Sequence, residues 1–183
     1  MHKITRSIAV LPGLVFLFIG ACSVTNSHGV QPQPGKTITY NDPFEYCMSV
    51  GTIDSPDARY TGPSLPDSII KGMIEQGIIT ADAPPEFQKN AVWRCMNSHV
   101  WVCHFGANLP CLEKADTSKT PASEMEDYCK TNPDVDSIPA AVTGRATVYE
   151  WKCNSGKPET IRQVFQVDPQ GYLADFWHEL VLK

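Results

Sequence analysis

Residues 8–21 are apolar apart from the Pro12-Gly13 break, and Lys3 and Arg6 stand before them with no acidic residue. A basic start followed by so short an apolar run reads as an export signal, since crossing a bilayer takes about 20 apolar residues. Residues 22–36 are polar and contain Gln31-Pro32-Gln33-Pro34-Gly35, a composition suited to a tether rather than a folded element. From residue 37 onward, hydrophobic positions fall into short periodic groups. The chain therefore divides into a signal at 1–21, an N-terminal tether at 22–36 and one folded domain at 37–183.

The periods of those groups predict the elements. Phe44-Glu45-Tyr46-Cys47-Met48-Ser49-Val50 suits a short strand. Ser64-Leu65-Pro66-Asp67 opens a helix, with Ser64 as cap, Pro66 in the first turn and Asp67 at the positive end of the dipole. Leu65, Ile69, Met73 and Ile70, Ile74 recur at helical spacing, and Gly77 sits where a left-handed terminating residue belongs. Residues 91–105 read as a β-hairpin turning at Asn97-Ser98. A two-residue loop puts Cys95 opposite Val100 on the face of Trp93. Cys103 then lies on the other face with Arg94 and Trp101, so the two cysteines cannot bond to each other; a three-residue loop would reverse this.

Further on, Ser123 is expected to cap a helix over 124–130, with Glu126 completing a capping box and Cys129 in the last turn. A local Cys111–Cys129 bridge would close that loop-helix pair. Residues 146–153 alternate, with Thr147, Tyr149, Trp151 and Cys153 on one side. A second strand at 160–167 follows with Ile161, Phe165 and Val167 inward. After the Asp168-Pro169-Gln170-Gly171 turn, residues 172–182 form a third strand, although Leu173, Trp177, Leu180 and Val181 also fit a helical stripe. The fold class is α+β: a small antiparallel β-sheet domain with two short helices, braced by disulfides.

Cysteine usage sets the compartment. The apolar run ends in Ile19-Gly20-Ala21-Cys22, which resembles the bacterial lipoprotein signal, where an aliphatic and two small residues precede a cysteine. The resemblance implies diacylglycerol on the Cys22 thiol, cleavage before it and acylation, typically with palmitate, of the new amino group. It also implies that Ser23, rather than aspartate, favours the outer membrane of a Gram-negative cell, with the domain facing the periplasm or exterior. Each buried methylene adds about 0.8 kcal/mol, so several acyl chains anchor effectively for good. The competing readings are ordinary cleavage at the same small residues, giving a soluble secreted protein, and a retained signal anchor.

Six cysteines remain: Cys47, Cys95, Cys103, Cys111, Cys129 and Cys153. An even set in an exported chain reads as a disulfide framework whose pairing the sequence leaves open. No two of them stand at zinc-knuckle spacing, and no C-x-x-C exists for redox exchange or haem attachment. Loss of residues 1–21 leaves 162 residues and takes the formal charge from −5 to −7. So acidic a body argues against nucleic acid and against lying flat on an anionic membrane.

Catalytic constellations do not assemble in the sequence. There is no Gly-x-Ser-x-Gly elbow. Cys103-His104 are neighbours pointing to opposite faces of a strand, and Cys103 is needed for the disulfide set. His178-Glu179 lacks the second histidine of a zincin helix; His99, His104 and His178 could still converge in space, although three histidines are ordinary in a domain of this size. Asp134-Val135-Asp136-Ser137 lacks the glycine and terminal glutamate of a calcium loop. Glu113, Asp116, Glu124, Glu126 and Asp127 cluster locally and leave paired-carboxylate chemistry open, though caps and solvated loops account for them. Lys152, Lys157 and Arg162 read as charges guarding a strand edge. No catalytic, metal or cofactor-binding residue is assigned and no cofactor is expected. The loop from Gly106 to Thr120 and the turn presenting Arg145 are the segments best placed for recognition.

The stretch from Val100 to Trp151, including Gly106-Ala107-Asn108-Leu109-Pro110-Cys111 and Ile138-Pro139-Ala140-Ala141-Val142-Thr143-Gly144, is similar to exported bacterial proteins known only as hypothetical, which implies no activity. Small lipoprotein inhibitors of host lysozyme share the plan of anchor, β-rich body and disulfide. Their loop carries Ser-Gly with a downstream Tyr, whereas Ser155-Gly156 precedes Lys157-Pro158, so the likeness is one of architecture. The expected function is a non-enzymatic envelope lipoprotein, held at the membrane by its lipid and binding an envelope or host protein. The alternatives are a small envelope hydrolase, a lysozyme-inhibitor-like protein and a structural accessory subunit.

Overall fold

The computed structural model describes residues 38–106 and 109–181. The expected signal, Cys22 and the expected tether lie outside the described residues, as do Leu182 and the Ala107-Asn108 part of the loop expected to serve recognition. In chain order the elements are helices α1 (Pro43–Val50), α2 (Asp67–Glu75) and α3 (Pro85–Gln88), strands β1 (Ala91–Met96) and β2 (His99–His104), helices α4 (Ser123–Thr131) and α5 (Ala140–Thr143), and strands β3 (Tyr149–Asn154), β4 (Lys157–Gln163) and β5 (His178–Leu180). The class is α+β as expected, but the strands form two small antiparallel sheets, β1-β2-β5 and β3-β4, in place of one.

The β1-β2 hairpin has the predicted register, with Cys95 opposite Val100 and Arg94 opposite Trp101. Asn97 and Ser98 both take positive φ, 54° and 69°, which bends the chain in two residues with the twist the strands need. The two faces of the hairpin serve different cores. Trp93, Cys95, Val100 and Val102 pack against Tyr46 and Cys47 of α1 and Ile69 and Met73 of α2. On the other face, Cys103 joins Cys111, Tyr172 and Trp177. A third core under β3-β4 holds Met125, Cys129, Ile138, Trp151 and Cys153.

Residues 44–50 are a helix, not the expected strand. Asp42 decides this, because its Oδ1 accepts the N–H groups of Phe44 and Glu45, both at 2.9 Å, and Pro43 suits the first turn. Neither predicted serine caps its helix. α2 starts at Asp67, and the Ser64 carbonyl instead accepts the Trp93 Nε1–H at 2.8 Å. Ser123 is the first residue of α4 and bonds Glu124, so no capping box forms. Gly77 has φ of 71°, as its terminating role requires.

The C-terminal third departs most from expectation. A bulge between Glu150 and Trp151 inserts Ile161 as the extra residue of β4, since Trp151 faces Thr160 and Glu150 faces Arg162. Opposed residues share a face, so Thr160 follows Trp151 inward and Ile161 is left 45% exposed. β4 stops at Gln163, and Val167 is likewise exposed. Residues 172–182 are not one strand: a 3-10 turn at Ala174–Phe176 precedes β5, which leaves the β3-β4 pair and joins β2.

Three disulfides pair Cys47 with Cys95, Cys103 with Cys111, and Cys129 with Cys153. The expected Cys111–Cys129 bridge does not form. Cys111 follows the loop back beneath β2, while Cys129 faces β3 from α4, so each belongs to a different core. Each core thus contains one bridge. Chain-entropy arguments give about 4 kcal/mol for the separation of 48 residues and about 2.6 kcal/mol for that of 8.

Candidate functional site

The face of the hairpin that carries Cys103 also carries Arg94, whose side chain is fully buried. An unpaired cation there would be costly, and the fold supplies two kinds of compensation. Asp168, itself almost fully buried, makes an ion pair with the guanidinium. The guanidinium also stacks on the rings of Tyr172, at 4.4 Å from the centroid, and Trp177, at 4.1 Å. The Nε and Nη1 groups of Arg94 have no hydrogen-bond partner among the described residues; they lie against ring faces. Asp168 does further work through its other oxygen, which accepts the N–H of Gln170 at 2.8 Å and of Tyr172 at 3.1 Å. One carboxylate thereby fixes the loop that presents Tyr172 and ties it to β1.

Over this buried stack lies a cleft of about 340 Å³. Val92, Tyr172 and Trp177 line its floor, on the Arg94 side of the hairpin, and Trp93, Pro56, Leu65 and Leu112 complete the lining. Leu112 is 69% exposed, an unusual state for a leucine beside a cavity. Cys111 also lines the cleft, so the Cys103–Cys111 bridge holds that wall in place. Two charged side chains reach the lining, Asp54 and Lys89. Both oxygens of Asp54 have partners: Oδ2 accepts from Lys114 Nζ at 2.6 Å and Oδ1 from Gln170 Nε2 at 2.8 Å. Lys114 also donates to the Gln170 carbonyl at 2.5 Å and sits 3.7 Å from the Tyr172 ring centroid. Burial, the largest influence on Lys114, pulls its pKa down, but the bonds to Asp54 and Tyr172 outweigh it and hold it above the usual value.

A second groove, about 300 Å³, is bounded by Phe44, Met48, Val100, Leu180 and Val181, with Ser98, His99 and Glu179 at its edge. His99 Nδ1 pairs with the Glu179 carboxylate because β5 runs antiparallel beside β2. No hydroxyl or thiol is hydrogen-bonded to His99 among the described residues.

The other histidines do not join it. His104 is buried, its Nε2–H donating to the Phe87 carbonyl at 2.8 Å and its Nδ1 accepting from Gly106 at 3.2 Å, while its ring packs on Phe87. It fastens α3 to the end of the hairpin. His178 points to solvent. Among the described residues no three metal-ligating side chains come together. The acidic residues from Glu113 to Asp127 spread over a loop and α4: Asp127 bonds Lys130 and Asp116 caps a turn at Ser118. Arg145 and Arg162 are exposed, the latter paired with Glu150. Ser155-Gly156 forms the β3-β4 turn.

Of the cleft residues, only Cys111 and Leu112 belong to a segment that the sequence singles out for recognition. The available signal was Arg94, a cation on an inward face beside Cys103 and Trp101, which demands a buried acid somewhere in the chain. Compared with known proteins, the chain matches no family model, no curated protein and no solved structure.

Proposed function

We propose that the chain is a bacterial envelope lipoprotein, anchored through Cys22, whose disulfide-braced domain binds another envelope or host component without transforming it. Three disulfides accord with an oxidising, exported setting. The observation that carries the binding reading is the cleft between Pro56, Leu65 and Leu112, floored by Tyr172 and Trp177 and held on one side by the Cys103–Cys111 bridge. A concave, largely apolar site with few polar groups is the usual form of a ligand pocket.

The anchor is tested by palmitate labelling in wild type and Cys22→Ser. Loss of label in the variant supports it, and equal labelling removes it. The cleft is tested by adding fractionated envelope components to the isotope-labelled mature chain. Amide shifts confined to Val92, Leu112, Tyr172 and Trp177, with the component recovered unaltered, support binding. Chemical conversion of the component, or shifts elsewhere only, overturns this reading.

A second reading rests on one specific contact, the His99–Glu179 pair at the apolar groove. A carboxylate on Nδ1 leaves Nε2 as a general base, the supporting half of a hydrolytic site. It predicts turnover of an ester or amide with an apolar acyl group, lost in His99→Ala; no turnover in wild type excludes it.

A further inference from the structure

Charge at the cleft is unevenly committed, and this selects among ligands. Asp54 spends both oxygens on Lys114 and Gln170, and Lys114 spends its donors on Asp54, the Gln170 carbonyl and the Tyr172 ring. Beneath the floor, Arg94 and Asp168 neutralise each other. Lys89 is different. It follows the last turn of α3, is exposed, lines the cleft, and has no acidic or hydrogen-bonding partner for its ammonium among the described residues. The cleft therefore presents one uncommitted positive charge at the edge of an apolar, aromatic surface, on a mature chain whose net charge is −7.

Resting on the reading that this cleft is the binding site, we propose that its ligand is a small amphipathic anion, with a flat apolar body seated over Tyr172 and Trp177 and one anionic group held by Lys89. The apolar body replaces water over Val92, Tyr172, Trp177 and Leu112. The anion supplies the counter-charge that Lys89 lacks. A cationic ligand finds no unpaired carboxylate at this site, because Asp54 is already neutralised by Lys114. Overall negative charge raises the cost of bringing in any anion, so selection has to be local and salt-dependent.

The test uses two dyes of matching shape, 8-anilinonaphthalene-1-sulfonate and the uncharged N-phenyl-1-naphthylamine, titrated by fluorescence into the full mature chain carrying Cys22→Ser. Amide shifts locate each dye. The sulfonate is expected to bind about tenfold tighter than its uncharged twin at low salt, with shifts at Val92, Leu112 and Trp177. Lys89→Gln is expected to remove most of that preference and Lys89→Arg to keep it. Lys89 is exposed at a helix end, so neither variant disturbs the fold. Equal affinity of the two dyes within the cleft, or a preference indifferent to Lys89→Gln, overturns the choice of an anion and leaves the cleft as the binding site. Shifts confined to the Phe44-Met48-Val181 groove, or none for either dye, overturn both.

Discussion

Arg94 and Asp168 lie 74 residues apart in the chain and meet as a buried ion pair between the hairpin and the loop before β5. A pair so deep in the interior is poor evidence of net stabilisation, since desolvating both charges offsets most of their attraction. What it specifies is placement. Only one position of the 168–172 loop lets Asp168 serve Arg94 with one oxygen and the Gln170 and Tyr172 amides with the other. That position is what lays Tyr172 and Trp177 over the guanidinium as the floor of the cleft.

Asp168→Asn separates these roles. The amide oxygen can still accept from the two backbone N–H groups, but Arg94 loses its counter-charge in the interior. Destabilisation of about 3–5 kcal/mol is expected, as for breaking other buried pairs from one side. Urea unfolding of the oxidised chain measures it. A loss below about 1 kcal/mol would mean that the aromatic rings alone satisfy Arg94.

The bridges differ in what they enclose. Removing Cys47–Cys95 by paired Ala substitution is expected to cost about 4 kcal/mol, against about 2.6 kcal/mol for Cys103–Cys111, whose loop is far shorter. The second substitution, though milder for stability, should broaden the amide signals of Leu112 and Trp177, because Cys111 lines the cleft. Non-reducing peptide mapping checks the pairing directly; a Cys111–Cys129 peptide would contradict the three-core arrangement.

The hairpin and its two-faced cysteine logic were legible because local pairing geometry alone dictates them. A two-residue turn at Asn97-Ser98 leaves no freedom in which face Cys95 and Cys103 take. The helix at 43–50 was misread as a strand: the alternation of Tyr46, Met48 and Val50 masked the Asp42 cap and first-turn Pro43 that start it. The destination of β5 was not readable. His178–Leu180 is three residues long, and its pairing with β2 depends on where the Asp168 loop is tied, a contact set by an arginine 74 residues earlier. Ile161 faced the wrong way in the sequence reading because one bulge shifts register by one residue, which turns over every side chain beyond it. The cleft was hidden for the same reason as β5: its floor is assembled from β1 and the last fifteen residues.

Asp57 gives the clearest acid response. Its carboxyl is held down to about 2, first by the side-chain hydrogen bonds of Arg59 and then by the Arg59 backbone N–H. The group is more acidic folded than unfolded, where such carboxyls titrate near about 3.9. Its contribution is therefore complete above about pH 4 and is lost as the pH falls through about 2. Carbon-detected titration of the side chain should show the low midpoint, and Arg59→Gln should return it toward the ordinary range. Because the pair is exposed, the accompanying stability change is small and shrinks with added salt.

Ser98 has φ of 69° in a turn where both central residues are left-handed, and glycine is the residue best suited to that second position. The backbone is nonetheless well anchored, since Ser98 N–H donates to the Gly51 carbonyl at 2.7 Å and Asn97 N–H to Thr52 Oγ1 at 3.0 Å. Glycine relieves the Cβ crowding of this conformation but frees the unfolded chain, so the two effects partly cancel. The relief is the larger at so clearly left-handed a position. Ser98→Gly is expected to raise stability by about 0.5–1 kcal/mol, a gain of about 1–4 °C in Tm for a chain of this length. Ser98→Val makes the opposite test, because branching at Cβ aggravates the same crowding and should cost more than glycine gains. If calorimetry finds both variants unchanged, the turn is not left-handed in solution, and the register that sends Cys95 and Cys103 to different cores loses its support.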